Sequence, residues 1–482
     1  MRVVFVHPEQ YLCIGIPGGI AILSSLLKAK GHEVRVFDTC FLKTKAYFEA
    51  VEMHRKDTTA TDERAGLSVY APTAYTLEDL VKNDPVIKSH ASEFQKVIDE
   101  FRPDVIGLSC MTSTFDFACE LIRGVQHNAT IIVGGVHPTI AWEDCMAQDC
   151  IDYAFVGEAD EALPGFLHKL ENGLKVTDTL GLVFRSESGK VVRNPSAPRA
   201  DLNANPCPDW GLFDERHLYR PYEGKIYAGS FFPQSRGCPM PCTYCVNSIV
   251  RTETGGITNY FRIQKPEVTI AHLKELKEKF NATWFKFSDD TFLLPPVEHL
   301  TTLLNGIKPL GIQFGCSVMV NTITEEKVRI AKEMGCVAMS IGVEAGNPKI
   351  RETLKRNYTD QRLHEAFKIV KKYDIRISTF NMIGCPDETR ENVFETIELN
   401  RKLEANACNV YIMFPYPGTP IQREKKFPLR GEDGKIIPVT RAKYLGLSTM
   451  APDELQGLLD AFNLYLLSPK TLWPIIRLAE AQ

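Results

Sequence analysis

The chain has 482 residues, is 44% hydrophobic and 24% charged, and carries a formal net charge of −4. That length exceeds what one hydrophobic core can organise and predicts two or three domains of an ordinary globular protein. No basic block suits nucleic acid as the main partner, and no apolar run reaches the ~18 residues of a membrane span. The 14 cysteines are scattered rather than framed as a small disulfide scaffold. With no signal-like start, they read as reduced cytoplasmic thiols.

Residues 1 to about 170 alternate strand and helix. Short apolar, β-branched runs at 2–7, 33–38, 105–110, 130–135 and 152–158 suit a parallel sheet buried on both faces. Between the first two lies a helix over 18–30, with Ile22, Leu23, Leu26 and Leu27 on one side. The pattern is that of a doubly wound, Rossmann-like α/β domain, interrupted by a polar insertion at about 41–93. Residues 171–230 read as a connector, with a hairpin over 182–193 and a Pro- and Asn-rich linker over 194–210.

A second alternating series begins at Phe231. Its strands are predicted at 231–235, 283–288, 313–318, 337–343, 376–382 and 409–414, with amphipathic helices between them, such as 267–280 carrying Val268, Ile270, Leu273 and Leu276. Six strand–helix units are too few to close an eight-stranded barrel. Residues 426–482 form a mainly helical tail, with a hairpin near 431–435 and helices over 455–467 and 471–478, apolar enough to cap a barrel mouth and shape a substrate site.

The densest chemical signal is Cys238, Cys242 and Cys245, spaced C-x3-C-x2-C, with Tyr244 before the last. Soft thiolates select iron–sulfur clusters or zinc. Three of them fall one short of the four that a [4Fe-4S] cluster normally takes, and an open metal position is a catalytic one. A zinc site normally shows a fourth Cys or His at a recognisable offset, and no CxxC or HxxxH pair follows.

This loop resembles the signature of radical S-adenosylmethionine (SAM) enzymes, and the resemblance implies a partial (β/α)6 barrel over 231–425. In that family the open iron chelates SAM, and one electron splits SAM to a 5′-deoxyadenosyl radical. The strand ends agree in order. Ser288-Asp289-Asp290 stands where the family binds the SAM amino group, one acid binding and the other capping a helix. Gly342-Val343-Glu344-Ala345-Gly346 resembles the family's Gly-x-Glu run. Asn381 and Ile383 lie on the strand that packs against adenine, and Pro415-Tyr416-Pro417-Gly418-Thr419 resembles the closing turn. Met319 stands where relatives often carry arginine, so a carboxylate contact is absent or comes from elsewhere, with Arg356 as a candidate.

A Rossmann-like domain ahead of such a barrel resembles the cobalamin-binding subclass, the resemblance covering residues 1 to about 425. The resemblance assigns the cofactor to loops after the strands: Gly18 and Gly19; Ser109, Met111 and Thr112; Gly134, Gly135, His137 and Pro138; Gly157 and Glu158. No Asp-x-His-x-x-Gly motif supplies an axial histidine, and His137 is expected to be a hydrogen-bonding group rather than a cobalt ligand. The alternative is a degenerate Rossmann fold that binds substrate or braces the barrel.

The implied activity is methyl transfer from methylcobalamin to an unactivated carbon, or to phosphorus, of a small metabolite or biosynthetic intermediate. The expected partners are that small-molecule substrate and an external reductant of flavodoxin or ferredoxin type. Oxidative cyclisation and ring rearrangement use the same parts, and an electron-transfer or sensor protein is the non-enzymatic alternative. Tyr222, Tyr227, Tyr416 and Tyr444 are candidates for radical relays or pocket walls.

Overall fold

The computed structural model describes residues 1–9, 14–44, 86–438 and 445–480. Most of the expected insertion, and Tyr444, lie outside the described residues.

The first sheet holds β1 (Arg2–His7), β2 (Glu33–Asp38), β3 (Val105–Ser109), β4 (Thr130–Gly134), β5 (Tyr153–Phe155), β6 (Leu182–Arg185) and β7 (Val191–Arg193), in the order β2-β1-β3-β4-β5-β6-β7. The first five are parallel and the last two antiparallel. Val3 and Phe5 pack into one core and Val4 and Val6 into another, which is why β1 is apolar throughout. The hairpin expected in the connector does form, but it extends this sheet. Leu182, Val183 and Phe184 are buried, so the sequence has no polar face on which a free hairpin would stand. The order 2-1-3-4-5 reverses between β1 and β3, and open α/β sheets bind ligands outside the carboxyl ends of the strands at such a switch.

The second sheet holds β8 (Phe231–Phe232), β9 (Trp284–Phe287), β10 (Gln313–Val318), β11 (Cys336–Glu344), β12 (Arg376–Ile383) and β13 (Ala407–Ile412), all parallel and in chain order. β8 and β13 do not pair, so the barrel is open. Phe285, Phe287, Phe314, Met339, Ile341 and Ile377 face the surrounding helices. By alternation, Lys286, Gly315, Ser317, Ser340, Gly342 and Phe380 face the lumen. Local signals set the helix limits. Pro266 opens the helix Pro266–Phe280, left-handed Asn281 ends it, and a Thr389–Asn392 capping box starts Arg390–Leu403.

Two segments differ from expectation. The hairpin Tyr219–Tyr222/Lys225–Ala228 plugs the amino-terminal end of the barrel, where Tyr222 packs on Trp284, Ala338 and Ala407. Tyr222 and Tyr227 are therefore at the opposite end from the strand carboxyl termini. The tail helix Pro452–Leu467 does not cap the mouth. Leu455, Leu458, Phe462 and Tyr465 bury against Ile383, Val393, Ile397 and Ile412, so it covers β12 and β13 from outside as a sixth barrel helix. The apolar pattern was read correctly, but the surface it needed was the uncovered back of the last two strands.

The two sheets are fastened together by charge. Glu158 pairs with Arg262 and Arg236, and Asp160 takes Arg236 at 2.8 Å. Beyond the barrel, Arg430 spans Asp116 (2.9 Å) and Asp144 (2.5 Å), returning the chain to the first domain.

Candidate functional site

The cysteine loop leaves β8 through Ser235-Arg236, which pairs antiparallel with Arg262-Ile263. Gly237 follows at φ +85°, where an added Cβ would overlap the Tyr260 carbonyl, so only glycine makes this turn. The loop is then pinned from both sides. Thr243 donates its N–H to Leu354 O (3.3 Å) and its hydroxyl to Thr353 O (2.8 Å), and its carbonyl accepts from Ile421 N (3.4 Å). Cys238 and Cys242 are buried and Cys245 is half-buried.

The donor set fits an iron–sulfur cluster. Arg356 Nη1 lies 3.7 Å from Cys242 Sγ and Asn247 Nδ2 lies 3.7 Å from Cys245 Sγ, two donors placed to stabilise thiolate charge. Burial pushes Cys238 up to about 11 and also raises Cys245. At neutral pH these thiols keep their protons until a metal displaces them.

Around the loop stand the polar groups of the strand ends. At the end of β11 the register with β12 shifts between Gly342 and Glu344, and Glu344 adopts φ +63°. Its carboxylate forms a buried ion pair with Arg356. Burial, the largest single influence, works against the charge of Arg356, but Glu344 together with Tyr244, Tyr358 and Cys242 outweighs it and keeps the guanidinium ionised. A side chain at Gly342 would overlap this pair, and Tyr358 ties its hydroxyl to Gly342 O (3.1 Å) and Val343 O (2.6 Å). The third strand carries Met319 rather than an arginine, and an arginine reaches this region instead from the segment after the short helix Pro348–Thr353. Sequence reading raised it only as a substitute.

At the end of β9, Asp289 is buried. Its Oδ1 accepts from the Ser235 hydroxyl, while Oδ2 has no hydrogen-bond partner among the described residues. Burial pushes its carboxyl up to about 7. A buried, half-satisfied carboxyl is costly on its own and suits a cationic ligand. Asp290 is exposed and accepts from Asn247 Nδ2 at 3.1 Å, and Ser288 is exposed beside it. Neither acid caps a helix: the next one starts at Val297 with Pro296 in the cap position. Tyr244 packs among Ala345, Leu354 and Ile421.

Asn381 and Ile383 do not project into the lumen. Asn381 accepts from Asn400 of the outer helix (2.8 Å) and donates to Thr379 and Cys408, while Ile383 packs under the tail helix. The strand period puts Phe380 and Met382 on the lumen side instead.

On the first sheet the nominated residues divide. An added Cβ at Gly19 or Gly134 would meet nothing within 4 Å, and at Gly18 it would meet Pro233 of the barrel at 3.5 Å. Met111 is 49% and Val136 40% exposed, with half-buried Ser109 at the adjacent end of β3. Open backbone flanked by uncovered apolar side chains fits a large, flat, apolar-faced cofactor such as a corrin. The others serve the frame. His137 is fully buried, within 3.3 Å of the Thr112 hydroxyl and 3.2 Å of Asp144, and Pro138 is buried beside it. Gly135 makes a tight turn at φ +108°, where a Cβ would come within 2.7 Å of Cys110 O. An added Cβ at Gly157 would come within 2.9 Å of Thr254, and Glu158 is committed to the inter-domain arginines. Val136, in the run 134–139 after β4, contributes an exposed apolar side chain to this end of the sheet that the sequence alone did not single out.

Two family models match the chain: the radical SAM superfamily over residues 232–399 and the B12 binding domain over residues 81–167. An uncharacterized methyltransferase of Pyrococcus horikoshii is 30% identical over 335 residues, covering 68% of this chain and 70% of the relative. The anaerobic magnesium-protoporphyrin IX monomethyl ester cyclase of Rubrivivax gelatinosus is 21% identical over 69% of this chain and 60% of its own length. Among solved structures, the radical SAM methyltransferase TsrM from Kitasatospora setae, with cobalamin and a [4Fe-4S] cluster bound, superimposes over the whole of both chains with a TM-score of 0.64 at 15% identity, which shows the shared fold. The chain therefore belongs to the cobalamin-dependent radical SAM methyltransferase family, enzymes that use a [4Fe-4S] cluster, SAM and cobalamin.

Proposed function

We propose that this enzyme transfers a methyl group to an unactivated carbon, or to phosphorus, of a small metabolite or biosynthetic intermediate. When bound, the cluster would supply the electron for reductive cleavage of SAM to methionine and a 5′-deoxyadenosyl radical, and methylcobalamin would supply the methyl group. Cys238, Cys242 and Cys245 hold the cluster. Asp289, with Ser288 and Asp290 beside it, takes the SAM ammonium, and Arg356, oriented by Glu344, is the fixed donor for its carboxylate. Tyr244 packs the loop in place. Gly18, Gly19, Ser109, Met111, Gly134 and Val136 form the cobalamin face, with Thr112, Gly135, His137 and Pro138 bracing the backbone behind it. Small side chains at Gly315, Ser317 and Ser340 leave the lumen room for a small substrate, while Gly342 makes way for the Glu344–Arg356 pair.

The observation that carries the reading is a buried Asp289 whose Oδ2 has no hydrogen-bond partner among the described residues and whose other oxygen is held by Ser235 at the start of the cysteine loop, together with the buried Glu344–Arg356 pair, whose arginine reaches Cys242. The expected electron source is an external reductant of flavodoxin or ferredoxin type, and the expected compartment is the cytoplasm. No described helix is long and apolar enough to cross a membrane.

The test is anaerobic reconstitution with iron, sulfide, cobalamin, SAM and reductant. Methylation predicts 5′-deoxyadenosine and S-adenosylhomocysteine together, with corrin bands retained on the protein. No 5′-deoxyadenosine defeats the radical reading. 5′-Deoxyadenosine without S-adenosylhomocysteine favours the second reading, oxidative cyclisation, which the likeness to the cyclase keeps in view.

A further inference from the structure

The outer face of the cysteine loop has a charge of its own. The two segments that pin Thr243 are Thr353–Leu354 and Ile421, and the exposed residues flanking them are basic: Lys349 and Lys355 on one side, Arg423, Lys425 and Lys426 on the other. Against these five cations stand three exposed carboxylates, Glu352, Glu424 and Asp387. Only Lys425 of the five forms an ion pair among the described residues, with Asp387 at 3.7 Å. The sign is opposite to that of the chain as a whole, which is −4. Next to this cationic rim the loop exposes Pro241 and half-exposes Met240, directly before Cys242. Isolated surface lysines are usually solvated and mean little. Here they lie on the two segments that bond to Thr243, next in the chain to Cys242 and two residues from exposed Pro241.

We propose that this patch is the docking surface for an acidic one-electron carrier protein of flavodoxin type. The lysine and arginine rim steers and orients the carrier, and the Met240–Pro241 tip brings its redox group against the loop that holds the cluster. A small apolar contact inside a ring of complementary charge suits a partner that must leave after one electron, since redox encounters are small and transient. In the step itself the carrier is oxidised by one electron and the cluster reduced by one. No bond forms or breaks at the interface. The proposal rests on the radical SAM reading, and the experiment separates the two.

The variant Lys355→Glu/Lys425→Glu/Lys426→Glu leaves every residue of the cluster and SAM site in place, and the corresponding triple Gln variant serves if charge reversal impairs folding. With SAM omitted, reduction of the reconstituted cluster is followed by stopped-flow absorbance and EPR. One arm uses photoreduced bacterial flavodoxin and the other titanium(III) citrate. The expected result is a flavodoxin rate lower by about tenfold to a hundredfold, the order by which electrostatic steering raises association rates. That rate should also lose its salt dependence, while the citrate rate is unchanged. Equal flavodoxin rates in wild type and variant overturn the proposal. So does a parallel fall in both arms, which would place the lysines' effect on the cluster itself. Salt-sensitive binding of bulk tRNA that the variant abolishes, with the flavodoxin rate untouched, overturns it in favour of a nucleic-acid surface. Failure of the radical reading would show separately, as absence of 5′-deoxyadenosine when SAM is added to the citrate-reduced wild type.

Discussion

The barrel and the first sheet both place their candidate ligand groups at strand carboxyl ends, yet they do so by opposite means. Around the cysteine loop the candidate site consists of charged side chains buried near the loop: Asp289 Oδ2 has no hydrogen-bond partner among the described residues, and Arg356 bridges Glu344 and Cys242. On the first sheet the site consists of side chains that are missing or uncovered: Gly19 and Gly134 open on space, and Met111 and Val136 are bare. Its polar candidates, His137 and Glu158, are spent on the frame. A charged ligand needs counter-charges held in place, whereas a broad macrocycle needs clearance and apolar contact. Polar residues in a loop therefore carry different weight in the two regions.

The comparison breaks most visibly at the cysteines. Replacing Cys242 with Ala should abolish cluster assembly, seen as loss of protein-bound iron and of the thiolate-to-iron absorption, while bound corrin persists. Loss of corrin as well would mean the two regions are one cooperative site. The next largest effect is expected at Arg356. Arg356→Met strands the buried Glu344 carboxylate and should cost about 3–5 kcal/mol in denaturant unfolding. Adding Glu344→Gln should recover much of that loss but not SAM binding.

Two glycines separate clearance from turn geometry. Gly134→Leu should weaken cobalamin retention by about tenfold with little change in Tm, because it fills open space. Gly135→Ala should lower stability by about 1–3 kcal/mol, because its left-handed φ and the 2.7 Å approach to Cys110 O both resist a side chain. If Gly134→Leu leaves corrin bound, the open face is not the cofactor face.

The smallest effect concerns Asp289. Burial raises its carboxyl from the ordinary 3.8 to about 7, so the folded chain holds this proton more tightly than the unfolded chain does. Its contribution is full below about pH 4 and falls as pH rises towards 7. Asp289→Asn should therefore stabilise the protein at pH 8 and leave it unchanged at pH 4, as read from Tm. SAM affinity in the wild type should strengthen over the same pH range as the carboxylate forms.

Much of this was legible in the chain itself. Strand periodicity located both sheets, and the spacing of Cys238, Cys242 and Cys245, with Asp289 and Glu344 in order behind them, nominated the candidate site. The assignments that moved were those depending on which neighbour a face would meet. Asn381 was correctly placed on its strand, but its side chain turned out to answer Asn400 of a helix. The apolar tail was correctly read as helical, but it covers the back of β12 and β13 rather than the mouth.

What the sequence determined by itself was therefore local and periodic: element type, the metal-binding spacing, and the glycines that a turn demands. What tertiary structure decided was commitment. A histidine, a glutamate or an arginine has the same chemistry wherever it sits, and only the groups brought within hydrogen-bonding distance settle its use. Those groups left His137 bracing a loop, Glu158 fastening two domains and Arg356 reaching a cluster cysteine.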